Sequence, residues 1–314
     1  MFVCVSPNPA IDKRLTMASL VRGQVNRVRS VQGFPGGKSA HVAMVLQTLG
    51  GSPRWIGPCG GASGKELLSG LSALGIQAIG SMTSQATRTN LEIVEDDGNV
   101  TEILEPGAAA SSAEWANFEA ACKKLFAEDS EKAAVIFSGS LAASAAPELY
   151  AGLVASARRF GCKTFVDTSG EPLRLALAEK PCFVKPNREE AAQLLGKPVR
   201  LLPDAVSALR QLLSLGAQSA ALSLGSEGLL FCAGTDTPVL FAPVVPLEPS
   251  STVGCGDSAM AGFAFGIASR YSPQDTLKIA AACGQANCSA DSPGAAKLKT
   301  IRNFQQQINV QTLD

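Results

Sequence analysis

Ser251-Thr252-Val253-Gly254-Cys255-Gly256-Asp257-Ser258 runs straight into the apolar stretch Ala259-Met260-Ala261-Gly262-Phe263-Ala264-Phe265-Gly266. Two glycines and a carboxylate at the mouth of a buried helix bring together bare backbone N–H groups, the positive end of a helix dipole and an acid. That combination suits phosphoryl transfer: the N–H groups can hold charge building on the transferring group, and Asp257 can take the proton of an attacking hydroxyl. The run from Gly254 to Ala259 also fits a relaxed dinucleotide fingerprint. That fold requires a strand soon after the glycine-led helix, whereas residues 276–290 read as a second helix. A third reading stays open on this segment: close helix packing at the glycines, with Asp257 as an ordinary N-terminal cap.

Outward from this segment, short β-rich runs alternate with helical periodicity from residue 2 to about 224. Strands are expected at 2–6, 54–57, 135–138, 164–167, 182–185 and 220–224, and helices at 38–49, 64–74, 113–126, 147–160, 188–195 and 204–215. Such alternation predicts an α/β fold, a mostly parallel central sheet covered by helices on both faces. No repeat or low-complexity linker divides the chain, so one domain over 1–314 is expected. Two insertions, approximately 13–34 and 89–104, break the rhythm with strand-like alternation, the second turning at Asp97-Gly98. They are expected to pair as a small β-sheet, a lid over a site or an edge through which two copies associate. Residues 229–232 and 239–241 read as a terminal antiparallel hairpin.

Hydrophobic residues make up 46% of the 314 positions and charged residues 17%, enough for a large core and against disorder. Lys and Arg number 27, as do Asp and Glu, which gives no electrostatic case for nucleic acid or an anionic membrane. The N-terminus carries neither a signal peptide pattern nor a spanning stretch, so a cytoplasmic protein is expected. Nine cysteines without a C-x-x-C pair read as reduced thiols. A single histidine, His41, disfavours transition-metal cages and Ser-His or Cys-His catalysis, which leaves carboxylate chemistry.

Gly36-Gly37-Lys38-Ser39 is not a Walker loop, because Gln32 stands where its first glycine belongs. It remains a turn where a substrate can approach bare backbone and meet a cation. In order along the chain come Asn8-Pro9-Ala10-Ile11-Asp12, Pro35-Gly36-Gly37-Lys38, Thr87-Arg88-Thr89-Asn90, Ser138-Gly139-Ser140-Leu141, Val184-Lys185-Pro186-Asn187 with Glu190, Ser223-Leu224-Gly225 with Gly228, and Gly254-Cys255-Gly256-Asp257. This series resembles the phosphofructokinase B family of ribokinase-like sugar kinases, from Val5 to about Ala295, and within it the branch acting on hexose phosphates.

The resemblance implies a ribokinase-like fold and roles residue by residue. Asp257 would be the general base, with Gly254, Cys255 and Gly256 as an anion hole for the γ-phosphoryl group. Glu190 would serve Mg²⁺ through water, and Asn187 would help arrange the ATP phosphates. Lys185, Ser223, Gly225, Gly228 and Asn287 would border the nucleotide. Asp12 would bind sugar hydroxyls, with Gly36, Gly37, His41, Asn90 and Ser138 around the sugar, and Lys38 and Arg88 would hold the phosphate it already carries. Arg27 or Arg29 would add a third cation, unless both belong to a solvated face. Asn187 and Glu190 also fit a capping box.

The implied reaction is ATP-dependent phosphorylation of a ketohexose phosphate, with fructose 1-phosphate going to fructose 1,6-bisphosphate as the first expectation. Tagatose 6-phosphate, fructose 6-phosphate, and an unphosphorylated sugar or nucleoside are the alternatives, followed by a non-enzymatic sugar-phosphate sensor. Two departures fall near where a sugar would be read. The family usually has Gly-Ile-Asn-Val where this chain has Ser39-Ala40-His41-Val42, and Pro-x-Gly where it has Ala142-Ala143-Ser144. His41, with one ring nitrogen on each of two opposite edges, would read a different hydroxyl pattern from an amide, or would simply pack within its helix.

Overall fold

In strand β1 (Phe2–Val5) successive side chains bury on opposite faces. Phe2 and Cys4 enter one apolar core, Val3 and Val5 a second, as the two-residue strand period requires. The same split recurs at Ile136 and Phe137, Phe165 and Val166, and Phe183 and Val184. A sheet apolar on both faces has to be covered on both. The computed structural model describes residues 1–128, 133–249 and 251–313 of the chain.

Parallel strands run in the order β5 (Gln77–Met82), β4 (Pro53–Cys59), β1, β8 (Ala134–Ser138), β9 (Lys163–Asp167), β10 (Phe183–Val184) and β11 (Ser219–Ser223). Antiparallel strands β12 (Gly228–Cys232), β13 (Val239–Pro243) and β14 (Gln311–Leu313) extend the sheet beyond β11. The first core is closed by helices α1 (Lys38–Thr48), α2 (Gly61–Ala73), α8 (Cys255–Ala268), α9 (Pro273–Asn287) and α10 (Leu298–Gln307). The second lies under α3 (Ser112–Glu128), α4 (Leu149–Arg159), α5 (Gly170–Ala178), α6 (Arg188–Leu195) and α7 (Leu202–Ser214).

The expected strands and helices form, with bounds shifted by a few residues. Four elements lie outside that reading: β5, α5, α10 and β14. The hairpin β12–β13 is not the sheet's end, because β14 pairs with β13. After α8 the chain forms α9 rather than a strand, which excludes the dinucleotide reading. These two helices pack closely, since a Cβ on Gly262 would stand 2.5 Å from Ala280 Cα. No helix among the described residues is long and apolar enough to cross a membrane.

A second sheet has the order β3 (Ser30–Gly36), β2 (Ala10–Met17), β6 (Arg88–Glu95), β7 (Val100–Leu104). Its strands begin at residues 10 and 88, ahead of the insertions read from sequence. The β6–β7 turn is the Asp97-Gly98 one, with Gly98 at φ 88°. In the parallel β2–β6 pair, Ala10 is opposite Arg88 and Asp12 opposite Asn90. That register sets two of the motifs side by side.

Candidate active site

Ser138, Asp167 and Ser223 sit at the carboxyl ends of β8, β9 and β11, and Lys185 follows β10. All four line a cavity of about 1060 Å³, closed by the small sheet and by the first turns of α1 and α8. Open α/β sheets bind ligands in this crevice, because the loops there diverge.

At the mouth of α8, Gly254 is the N-cap in a left-handed conformation, φ 79°. A Cβ there would approach Pro293 Cβ to 2.9 Å, so the turn requires glycine. Cys255 N–H donates to Thr252 O at 3.3 Å. Of the expected donors Cys255 N–H is engaged, while the N–H groups of Gly254 and Gly256, and that of Asp257 next to them, have no partner among the described residues. Lys185 Nζ faces the same place, 3.6 Å from where a Gly256 Cβ would stand. Cys255 Sγ lies 3.1 Å from Cys288 Sγ, both thiols being free.

Asp257 is not a cap: among the described residues its carboxylate accepts from no backbone N–H of the first turn of α8. Its Oδ2 lies 2.8 Å from His41 Nδ1, and His41 Nε2 lies 3.0 Å from Asp12 Oδ2. Asp12 Oδ1 accepts from Asn90 Nδ2 at 2.8 Å, and its Oδ2 from Gly37 N–H at 3.4 Å. Burial alone would raise the Asp257 carboxyl, but the His41 bond and charge, with Lys38 and Lys185 nearby, hold it below the usual carboxylate range. Asp12 is likewise held low, against burial, by His41, Asn90 and Gly37. Burial would lower His41; its bonds to the two carboxylates outweigh this and raise it to about 10. The ring is therefore neither packed on backbone nor open to a sugar at either nitrogen.

Toward the nucleotide motifs, Lys185 Nζ is 3.1 Å from Asp167 Oδ2, with Lys38 Nζ 3.6 Å from Asp167 Oδ1 and 3.9 Å from Glu190 Oε1. Asp167 pushes Lys38 well above the usual lysine range, against burial. Lys38 thus stands with carboxylates of this end rather than alone beside a sugar phosphate. Asn187 and Glu190 form the capping box of α6: Asn187 Oδ1 accepts from Glu190 N at 2.8 Å and Glu190 Oε2 from Asn187 N at 2.9 Å. The box uses one carboxylate oxygen and leaves Oε1 toward the cavity, so cap and site are compatible. Ser223, Gly225 and Gly228 line the far wall.

Arg88 lies at the opposite end, Nη1 donating to Glu105 O at 2.8 Å and Nη2 to Asn8 O at 3.1 Å. Burial lowers it from the usual arginine range, opposed by Asp12 and Glu105. Glu102, opposite Glu92 across β6–β7, also lines the cavity. Burial and the charges of Glu92 and Asp12 raise its carboxyl.

Two expected ligand residues stand behind the wall. Asn287 is buried, its Nδ2 donating to Val253 O at 2.7 Å and its Oδ1 accepting from Gly294 N at 2.8 Å; it clamps the anion-hole loop. Gly36 gives Asp12 room, since a Cβ there would fall 2.3 Å from Asp12 Cγ. Arg27 is exposed and Arg29 pairs with Asp96 on the surface, so both belong to a solvated face. Asp167 was missed by sequence reasoning. Its signal was an acid at the carboxyl end of a predicted parallel strand.

A family model for pfkB family carbohydrate kinases matches residues 8–300. The chain belongs to that family. It is a sugar kinase, a phosphotransferase, and ATP is its co-substrate. It is similar to the 1-phosphofructokinase of Vibrio cholerae, 30% identical over 311 residues that span 99% of this chain and 96% of the relative. The 1-phosphofructokinase of Rhodobacter capsulatus is 31% identical over 310 residues, 98% of this chain and 97% of the relative. Among solved structures, phosphofructokinase-2 from Escherichia coli, in complex with substrates and products, superposes with a TM-score of 0.91 at 25% identity, covering 98% of both chains. The kinase fold is thus that of a pfkB enzyme.

Proposed function

We propose that this kinase phosphorylates a ketohexose phosphate, converting fructose 1-phosphate to fructose 1,6-bisphosphate. The observation that carries the reading is Asp257: a buried carboxylate in the first turn of α8, beside the free N–H groups of Gly256 and Asp257 and the Lys185 ammonium. Asp257 takes the proton of the attacking sugar hydroxyl as the oxygen bonds to the γ-phosphorus and the bond to ADP breaks. The two N–H groups and Lys185 carry the charge that develops on the transferring group. Asp12 and Asn90 orient the polyol, Arg88 holds the resident phosphate, and Lys38 stands between the sugar and the nucleotide. The 1-phosphofructokinase names of the relatives from Vibrio cholerae and Rhodobacter capsulatus support the substrate.

Mg²⁺ fits the nucleotide end. Glu190 Oε1 is left over from the capping box and borders the cavity, whereas both Asp167 oxygens are met by lysines, Lys185 Nζ at 3.1 Å and Lys38 Nζ at 3.6 Å. Few carboxylates plus substrate phosphates and retained waters are what this ion takes. When bound, Mg²⁺ would neutralise charge on the nucleotide phosphates.

One observation favours a second reading. Glu102 and Asp12 line the sugar end beside Glu92, which is paired with Arg14 at 2.7 Å; acceptors there suit hydroxyl donors and point to an unphosphorylated sugar. Measuring ADP release with fructose 1-phosphate, fructose 6-phosphate, tagatose 6-phosphate and free sugars decides between them. Turnover on fructose 1-phosphate well above the rest is expected; preference for a free sugar would replace our reading with the second.

The small sheet acts as a lid on one kinase domain spanning 1–314. Its exposed Val21, Val25, Val31 and Ile103 suit a second copy of the chain. Light scattering should give the mass of a dimer, lost on charging Val25 and Val31. Reduced thiols such as Cys4, Cys59 and Cys283 suit a reducing compartment such as the cytoplasm.

A further inference from the structure

His41 spends both ring nitrogens on carboxylates, Nδ1 on Asp257 and Nε2 on Asp12, at 2.8 and 3.0 Å. A neutral imidazole has a single N–H, so one of these contacts would set a lone pair against a carboxylate oxygen. Two N–H groups satisfy both. The residue is 4% exposed, and Gly294 leaves it no slack: a Cβ there would lie 2.9 Å from His41 Cα.

The charges facing the ring come from every side. Asp12 belongs to β2, Asp257 to α8 and Lys38 to the ring's own helix. Of the more distant charges, Glu102 on β7 feels the ring, Arg88 on β6 acts on Asp12, and Lys185 after β10, with Lys38, acts on Asp257. Two carboxylates in direct contact outweigh the cations around them.

We propose that His41 is a positioning residue for phosphoryl transfer. As a doubly donating imidazolium it ties the base, Asp257, to the sugar carboxylate, Asp12, so that the hydroxyls gripped by Asp12 fix which hydroxyl meets Asp257. The inference rests on Asp257 being the base. One Asp257 oxygen is spent on His41, which leaves Oδ1 to receive the hydroxyl proton. A cation at this distance makes Asp257 a weaker base. Phosphoryl transfer tolerates that, because positioning and charge stabilisation supply most of its acceleration.

With one histidine in the chain, the imidazole ¹⁵N signals of untagged protein report His41 alone. Both nitrogens should stay protonated from pH 6 to 8.5. Titration within that range, near the ordinary 6.5, would overturn the proposal. In kinetics, His41→Asn should lower kcat roughly 10²-fold, leave KM for ATP unchanged, and move the acid limb of kcat/KM for the sugar to higher pH. A purely structural role would lower Tm and leave that limb in place, which overturns the proposal. Asp257→Asn separates the two ideas. If it keeps turnover, the base reading falls and takes this proposal with it; if it is inactive while His41→Asn leaves the acid limb unmoved, only the His41 proposal falls.

Discussion

Lys185 Nζ lies 3.1 Å from Asp167 Oδ2, and both side chains are buried. Asp167 also faces Lys38, so one carboxylate meets two ammonium groups, and Lys185 is the one that stands beside Gly256 at the mouth of α8. An ammonium at that place is what a transferring phosphoryl group needs. Lys185→Met, which keeps the length and removes the charge, should lower kcat by roughly 10²–10³-fold, as loss of one oxyanion donor does. Asp167→Asn should instead destabilise the fold by about 3–5 kcal/mol, because it strands buried lysine charge. Steady-state kinetics and urea unfolding of the two variants would separate these effects; equal changes in both measurements would contradict the division.

Asp257→Asn preserves size and the contact with His41 but cannot accept a proton. We expect turnover to fall on the order of 10²–10⁴-fold with the fold intact. Near-normal turnover would remove Asp257 from the chemistry.

Arg88 is held by two backbone carbonyls at the sugar end, away from the nucleotide motifs. Arg88→Ala should therefore raise KM for the sugar phosphate by an amount corresponding to about 1.5–3 kcal/mol, the worth of a charged hydrogen bond, with KM for ATP nearly constant. An equal rise for both substrates would move Arg88 out of the sugar site. No rise on a free sugar, measured in parallel, would tie its role to the phosphate.

The sheet and the mouth of α8 were legible because their signals are local: short β-rich runs such as residues 2–6, and glycines before an acid at a helix start. What sequence could not supply was convergence. His41 is 216 residues from Asp257 and 29 from Asp12, and its isolation in composition gave no hint that two carboxylates meet it. Asp167 looked like a strand end until lysines from α1 and from the loop after β10 closed on it. Asn287 carried a motif position but turned inward, because the Gly294 turn needed an acceptor for its N–H. The capping box at Asn187 and Glu190 was readable for the opposite reason, since its partners lie three residues apart.

Two glycines in helices should respond oppositely to alanine. Gly262 meets Ala280 backbone, and a methyl group there has 2.5 Å in which to fit, so Gly262→Ala should cost about 1–3 kcal/mol by forcing α8 from α9. Gly152 in α4 has nothing within 4 Å. Gly152→Ala should gain roughly 0.4–1 kcal/mol by restricting the unfolded chain. Thermal unfolding of both decides whether close contact, rather than glycine content, governs this helix pair.

The carboxylate–imidazole–carboxylate trio also sets a pH dependence of stability. His41 is raised from 6.5 to about 10 on folding, so its contribution is complete below pH 6.5 and fades as pH rises toward 10. Asp12 and Asp257 are lowered from 3.8, so theirs is present above that value and is lost as pH falls through their folded range. The wild-type advantage over His41→Asn should therefore peak between roughly pH 4 and 6.5. Near pH 6 it should amount to about 3–5 kcal/mol, since the variant leaves two buried carboxylates without their cation. By pH 10 most of it should be gone. Chemical unfolding of both proteins across this range tests the sign: a gap that widened with rising pH would mean that the ring is neutral in the folded protein.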